Sequence, residues 1–142
     1  MYNEFNKEVT MFPSNYPESC PPSDAVAPDG VTSYCRLVSN PITKQDVKSN
    51  YELNPARTAT CSDLAVSMFT TVKMLNRMLK DYARWGGKQI AWICPKPEWG
   101  SQRVSDNRGG YRHVNLWLYA QTNQEDVANS FIIKSSNEGD MQ

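Results

Sequence analysis

The chain holds one histidine and four cysteines, and no two of the cysteines stand in a C-x-x-C pair. A zinc centre or a redox dithiol needs such clustering, because its ligands must converge on one ion or one partner sulfur. With a single histidine available, a histidine-rich metal centre is excluded as well, so no metal is expected. The sequence also lacks G-x-x-x-x-G-K-[ST], G-x-G-x-x-G and G-x-S-x-G. It therefore offers no phosphate-cradling loop, dinucleotide fingerprint or nucleophile elbow, and Gly86-Gly87 and Gly109-Gly110 read as turns. There is no excess of charge: fifteen Lys and Arg face fifteen Asp and Glu. A neutral chain lacks the surplus cations on which sequence-independent nucleic-acid binding depends. No apolar run is long enough to span a bilayer, so no membrane is expected. The polar opening "MYNEFNKEV" does not read as a secretory leader. The setting implied is cytoplasmic, with Cys20, Cys35, Cys61 and Cys94 reduced and serving as small apolar residues.

What the chain does have is 142 residues, four Trp and seven Tyr, enough for one globular domain with a real core. Its charge is unevenly spread. Residues 1–30 carry Glu4, Glu8, Glu18, Asp24 and Asp29 against Lys7. Residues 73–113 gather Lys73, Arg77, Lys80, Arg84, Lys88, Lys96, Arg103, Arg108 and Arg112 against Asp81, Glu98 and Asp106. A basic middle of this kind can face an acidic partner.

Residues 1–30, rich in Pro, Ser, Asn and Asp, read as an extended lead-in pinned to the domain by Phe12, Tyr16 and Val26. A strand follows at about 31–38, with Tyr34, Arg36 and Val38 on one side and Cys35 and Leu37 on the other; Asn40-Pro41 stops it. Thr43 caps a short helix over about 44–50, with Asp46 facing its free N–H groups. "YELNPART" reads as a turn that Pro55 keeps from becoming helical. A strand over about 64–69 leads into the longest helix, "VKMLNRMLKDYARW", whose apolar face is Val72, Leu75, Leu79 and Tyr82 or Ala83. Lys73, Arg77, Lys80 and Arg84 line its opposite side.

"KQIAWIC" reads as a buried strand over 88–94, and "PKPEWGSQRVSDNRGG" as a long, mobile polar loop. "YRHVNLWLYA" is an alternating strand with His113, Asn115 and Trp117 on one face and Val114, Leu116 and Leu118 on the other. A short helix over 123–129, a last strand at "SFIIK" and a flexible tail over 135–142 complete the chain. The expected architecture is a single α+β domain: a mixed or mostly antiparallel sheet of about five strands, one long and one or two short helices, the helices on one side.

Several local features recur together: Cys20-Pro21-Pro22 with Asp24-Ala25, the Tyr34–Val38 strand, Asn40-Pro41, Thr43 to Asp46, Glu52 to Pro55, Cys61, Ser67 with Phe69, and His113 to Trp117. In this the chain resembles a set of short bacterial proteins, although Val47 stands where those have Phe. The resemblance implies a bacterial origin and a related fold. It suggests an accessory, regulatory or immunity role in a toxin or phage-defence setting, and it carries no activity.

Two constellations remain. Arg36 sits in the middle of an apolar strand. Such an arginine can lay its stem on apolar neighbours and bridge a carboxylate, and Asp46 and Glu52 lie just downstream. Arg36 on an early strand, Ser67 on a second and Glu98 or Glu125 on a later element also resembles the Arg-Ser-Glu pattern of ADP-ribosyltransferase-like folds. That resemblance implies NAD as a cofactor and catalytic roles for Arg36, Ser67, Glu98 and Glu125; without it, no cofactor is expected. The second constellation is the basic set Lys73, Arg77, Lys80, Arg84, Arg103, Arg108 and Arg112 with His113. Here the expectation is contact with an acidic protein surface, or less favourably with a nucleic-acid backbone. The leading expectation is a small protein that acts by binding another macromolecule.

Overall fold

The computed structural model describes residues 11–54, 60–81, 83–106 and 109–134. They form one five-stranded antiparallel sheet with few helices. The strands are β1 (Tyr34–Val38), β2 (Val66–Phe69), β3 (Gln89–Ile93), β4 (Gly100–Val104) and β5 (His113–Leu118). Their order across the sheet is β3-β1-β2-β5-β4. The α-helices are α1 (Asn50–Leu53), α2 (Lys73–Asp81) and α3 (Gln124–Ala128). Short 3-10 turns cover Lys44–Val47, Ser62–Leu64, Ala83–Trp85 and Pro97–Trp99.

Strand alternation decides which side chains meet. Tyr34, Val66, Met68, Ile93, Val114, Leu116 and Leu118 share one face, where they pack with Val47, Val127 and Ala128. The opposite face is split. Cys35, Leu37 and Trp92 lie under Val72 and Leu75 at the start of α2 and on it. Trp117 lies under Cys20, Leu64 and Ala65, with Phe12 and Tyr16 of the lead-in packed beside them. The helical segments thus cover both faces and not one, because each face has its own apolar stripe to bury.

Four further expectations are corrected. First, residues 44–50 are not one helix: the Thr43-capped segment is a 3-10 turn ending at Val47, and α1 follows at Asn50. Second, "YELN" is therefore largely helical. Ser49 Oγ accepts the Glu52 N–H at 3.1 Å while Glu52 Oε1 accepts the Ser49 N–H at 3.0 Å, a reciprocal cap that starts a helix well before Pro55 can stop one. Third, the supposed loop over 97–110 contains β4, which pairs with β5 from Gly100↔Leu118 to Val104↔Val114. Its inward Gln102 is buried and donates to the Tyr34 hydroxyl at 3.1 Å. Gly100 permits the close start of this pairing: a Cβ there would stand 1.9 Å from the Trp117 carbonyl oxygen. Fourth, "SFIIK" gives no strand but one bridge, Trp92↔Ile132.

The cysteines require another correction. Cys20 and Cys61 form a disulfide, while Cys35 and Cys94 are free. The bond fastens the lead-in to the segment before β2, over Trp117, whose Nε1–H donates to the Cys61 carbonyl at 2.8 Å. Burial pushes the free Cys35 thiol up to about 12, in keeping with a packed, inert residue. Val26 pins the lead-in through its backbone, which bridges Gln102, while its side chain stays exposed. The first ten residues and the tail over 135–142 lie outside the described residues.

Candidate functional site

The sheet is not uniformly closed. β1 pairs with β3 over five residues, and β2 with β5 over four, but β1 and β2 share the single pair Cys35↔Phe69. Toward Val38 and Val66 the two strands part, and the Arg36 guanidinium occupies the gap. Its Nη1–H donates to the Ser67 carbonyl at 2.6 Å, its Nε–H to the Asp46 carbonyl at 2.7 Å and its Nη2–H to the Lys48 carbonyl at 3.4 Å. Arg36 therefore replaces a missing piece of ladder, satisfying carbonyls that would otherwise be stranded in a partly dry place. The expected bridge to a carboxylate is corrected accordingly. Asp46 instead spends its carboxylate on the Ser39 and Thr43 N–H groups at 2.8 and 2.9 Å, and Glu52 caps α1. Burial draws the guanidinium down to about 10, against the pull of the nearby Asp46 charge, so it stays cationic at neutral pH.

A cleft of about 520 Å³ opens at this gap. Arg36, Ser67, Asp46 and Lys88 line its polar side, and Leu37, Phe69, Leu75, Met78 and Trp85 its apolar side. Lys88 reaches the Ser39 hydroxyl at 3.2 Å.

Ser67 also looks the other way along the sheet. It stands opposite Asn115 on β5, and strand alternation puts His113, two residues from Asn115, on the same face. The Ser67 hydroxyl and His113 Nε2 are hydrogen-bonded. The imidazole meets the Phe69 ring edge-on, with centroids 5.3 Å apart, and the His113 backbone N–H donates to Ser105 Oγ at 3.0 Å. Burial lowers the His113 pKa, which favours the neutral ring, and in the tautomer protonated at Nδ1 the Nε2 accepts from the hydroxyl. Beside them, Asn115 Oδ1 is buried with no hydrogen-bond partner among the described residues. Each member of this pair is visible in the alternation of its own strand. Their meeting depends on β2 pairing with β5, which no local signal announces.

The Arg-Ser-Glu constellation is not assembled. Arg36 and Ser67 share a cleft, but Glu98 and Glu125 are exposed and line two other depressions on the far side of the sheet, near α3. Among the described residues, no group of histidine, cysteine and carboxylate side chains could hold a metal ion.

The basic set divides. Lys73, Arg77 and Lys80 are exposed on α2, and Arg112 is exposed just before β5. Lys73 Nζ donates to the Gly109 carbonyl, tying α2 to the end of the β4–β5 hairpin. Arg77 faces Asp81 at 3.7 Å, both in solvent. Arg103 points to the opposite edge and pairs with Asp24 of the lead-in at 2.9 Å. His113 is drawn inward to Ser67. Of Arg84 only the backbone is described, and Arg108 lies outside the described residues.

Compared with family models, curated proteins and solved structures, the chain matches none.

Proposed function

We propose that the protein acts by binding another macromolecule, an acidic protein surface, through the outward side of α2 and the adjoining end of the β4–β5 hairpin. One observation carries this reading: Lys73, Arg77 and Lys80 are all exposed on α2, with Asp81 as the helix's own acidic residue and Arg112 exposed on the segment tied to it. Charges arranged this way steer encounter with an acidic surface and set its orientation. Arg103 and His113 leave the set, since each is engaged elsewhere. Among the described residues no helix is long and apolar enough to cross a membrane. The Cys20–Cys61 disulfide favours an oxidising compartment over the cytoplasm.

The test is fluorescence anisotropy with two labelled probes, a polyglutamate peptide and a short DNA duplex, each at low and raised salt. Binding of the peptide should weaken as salt screens the charges. The double variant Arg77→Glu, Lys80→Glu should lose about tenfold or more in affinity, roughly 1.4 kcal/mol. Stronger binding of the duplex would transfer the surface to nucleic acid. No binding of either probe would remove the reading.

A further inference from the structure

We propose that Ser67 is a nucleophile served by His113, and that the cleft beside it accepts small esters with an apolar acyl group and hydrolyses them. This activity is independent of the α2 surface.

Three arrangements support it. The first is the hydrogen bond between the Ser67 hydroxyl and His113 Nε2. A serine hydroxyl is a poor nucleophile until a base takes its proton in the attack, and a neutral imidazole within hydrogen-bond reach is the commonest such base. Burial of His113 favours that neutral form. Phe69 meets the ring edge-on, and the β2–β5 register sets Ser67 and His113 on one face.

The second is access. Ser67 is half-buried and lines the cleft at the β1–β2 gap, whose apolar wall is made by Leu37, Phe69, Leu75, Met78 and Trp85. At about 520 Å³ the space is of the size that takes a small organic ligand. An aliphatic or aromatic acyl chain suits that wall.

The third is charge. Three N–H groups of Arg36 are spent on carbonyls, one of them the carbonyl of Ser67 itself. A guanidinium has five N–H groups, and Arg36 lines the same cleft as Ser67. A fixed cation there stabilises negative charge developing on an acyl oxygen.

The chemistry balances without a further reagent except water. Ser67 Oγ bonds to the acyl carbon as its proton passes to His113 Nε2, and the carbonyl oxygen takes the negative charge beside Arg36. The bond from the acyl carbon to the ester oxygen then breaks, and the leaving alcohol receives the proton from His113. Water, deprotonated by His113, attacks the acyl-serine and releases the carboxylic acid, and the proton returns to Ser67.

The experiment treats the whole chain with an alkyl fluorophosphonate probe, maps the modified residue by peptide mass spectrometry and follows 4-nitrophenyl butyrate hydrolysis in parallel. The expected result is label on Ser67 and continuing release of nitrophenolate, both lost in Ser67→Ala. His113→Gln should slow both by about 100-fold or more. Thermal melts confirm that each variant is folded. As a second measure, Ser67→Cys preserves shape and its thiol should react faster with iodoacetamide than the same thiol in the Ser67→Cys, His113→Gln pair. Label only on other residues, an unlabelled Ser67 in folded protein, a single burst without turnover, or equal thiol rates with and without His113 would each overturn the proposal.

Discussion

Arg36 Nη1 donates to the carbonyl oxygen of Ser67 at 2.6 Å, and through that bond a side chain holds together two strands whose backbones have parted. Lysine at position 36 would keep the charge but lose the planar fork that serves three carbonyls at once. Arg36→Lys is expected to cost roughly 1–3 kcal/mol, from carbonyls left unpaired in a partly dry gap. Chemical denaturation measures this directly, and an unchanged midpoint would show that the bridge is dispensable. A melt of the wild type with NAD belongs beside it. No rise is expected, since three of the arginine's donors are already engaged; a clear rise would restore the phosphate-holding role for Arg36.

Leu75 and Leu79 both belong to the apolar side of α2, but they are not equivalent. Leu75 is 2% exposed, whereas Leu79 is only partly buried at the margin of the same cluster. Leu75→Ala should destabilise by about 2–5 kcal/mol and Leu79→Ala by clearly less, because a half-open site collapses onto solvent without leaving a cavity. Equal losses would mean that the helix is rotated relative to the sheet.

The Cys20–Cys61 disulfide links residues 41 apart in sequence. Closing a loop of that length in the unfolded chain contributes on the order of 2–4 kcal/mol. Cys20→Ser with Cys61→Ser should lower stability by that amount, and a reductant should do the same to the wild type. Trp117, covered in part by this bond, gives the readout: its fluorescence should shift to the red on reduction. A melt indifferent to reductant would show that the thiols are not joined in solution.

His113 makes stability depend on pH in a definite direction. Its folded pKa lies below the ordinary value of 6.5, owing to burial. The unfolded chain therefore takes up a proton more readily, and acid favours unfolding. This contribution is complete above the unfolded pKa and diminishes as the pH falls through the window below it. His113→Gln should flatten the acid limb between about pH 6.5 and the carboxylate range. If wild type and variant keep parallel profiles there, the ring is not buried in its neutral form.

Much of the sheet was legible in the sequence. The alternation of Tyr34–Val38 and His113–Leu118 assigned Tyr34, Cys35, Leu37, Val114, Leu116, Trp117 and Leu118 to their observed faces, because burial of one face leaves a period-two trace. β4 left no such trace: its inward Gln102 is polar, and once buried it donates to the Tyr34 hydroxyl, a tertiary fact invisible along the chain. α1 has a legible start, since Ser49 and Glu52 stand at capping-box spacing, and it is short because Pro55 follows within a few residues. The Ser67–His113 pair shows the general limit. Residues 46 positions apart become neighbours through strand order, and strand order is written in no local pattern.

The two rims of the sheet share one device. At β4, Val26 exchanges a pair of backbone bonds with Gln102, at 2.9 and 2.7 Å; at β3, Ile132 exchanges a pair with Trp92, both at 2.8 Å. Each is a lone antiparallel bridge, and they come from opposite ends of the chain. An unclaimed rim strand is a template on which a second molecule can stack and continue the sheet. Here the polypeptide lays its own two arms along its two flanks, as a hem binds cloth against fraying. Loosening either bridge would expose a seam, and self-association would be the first sign.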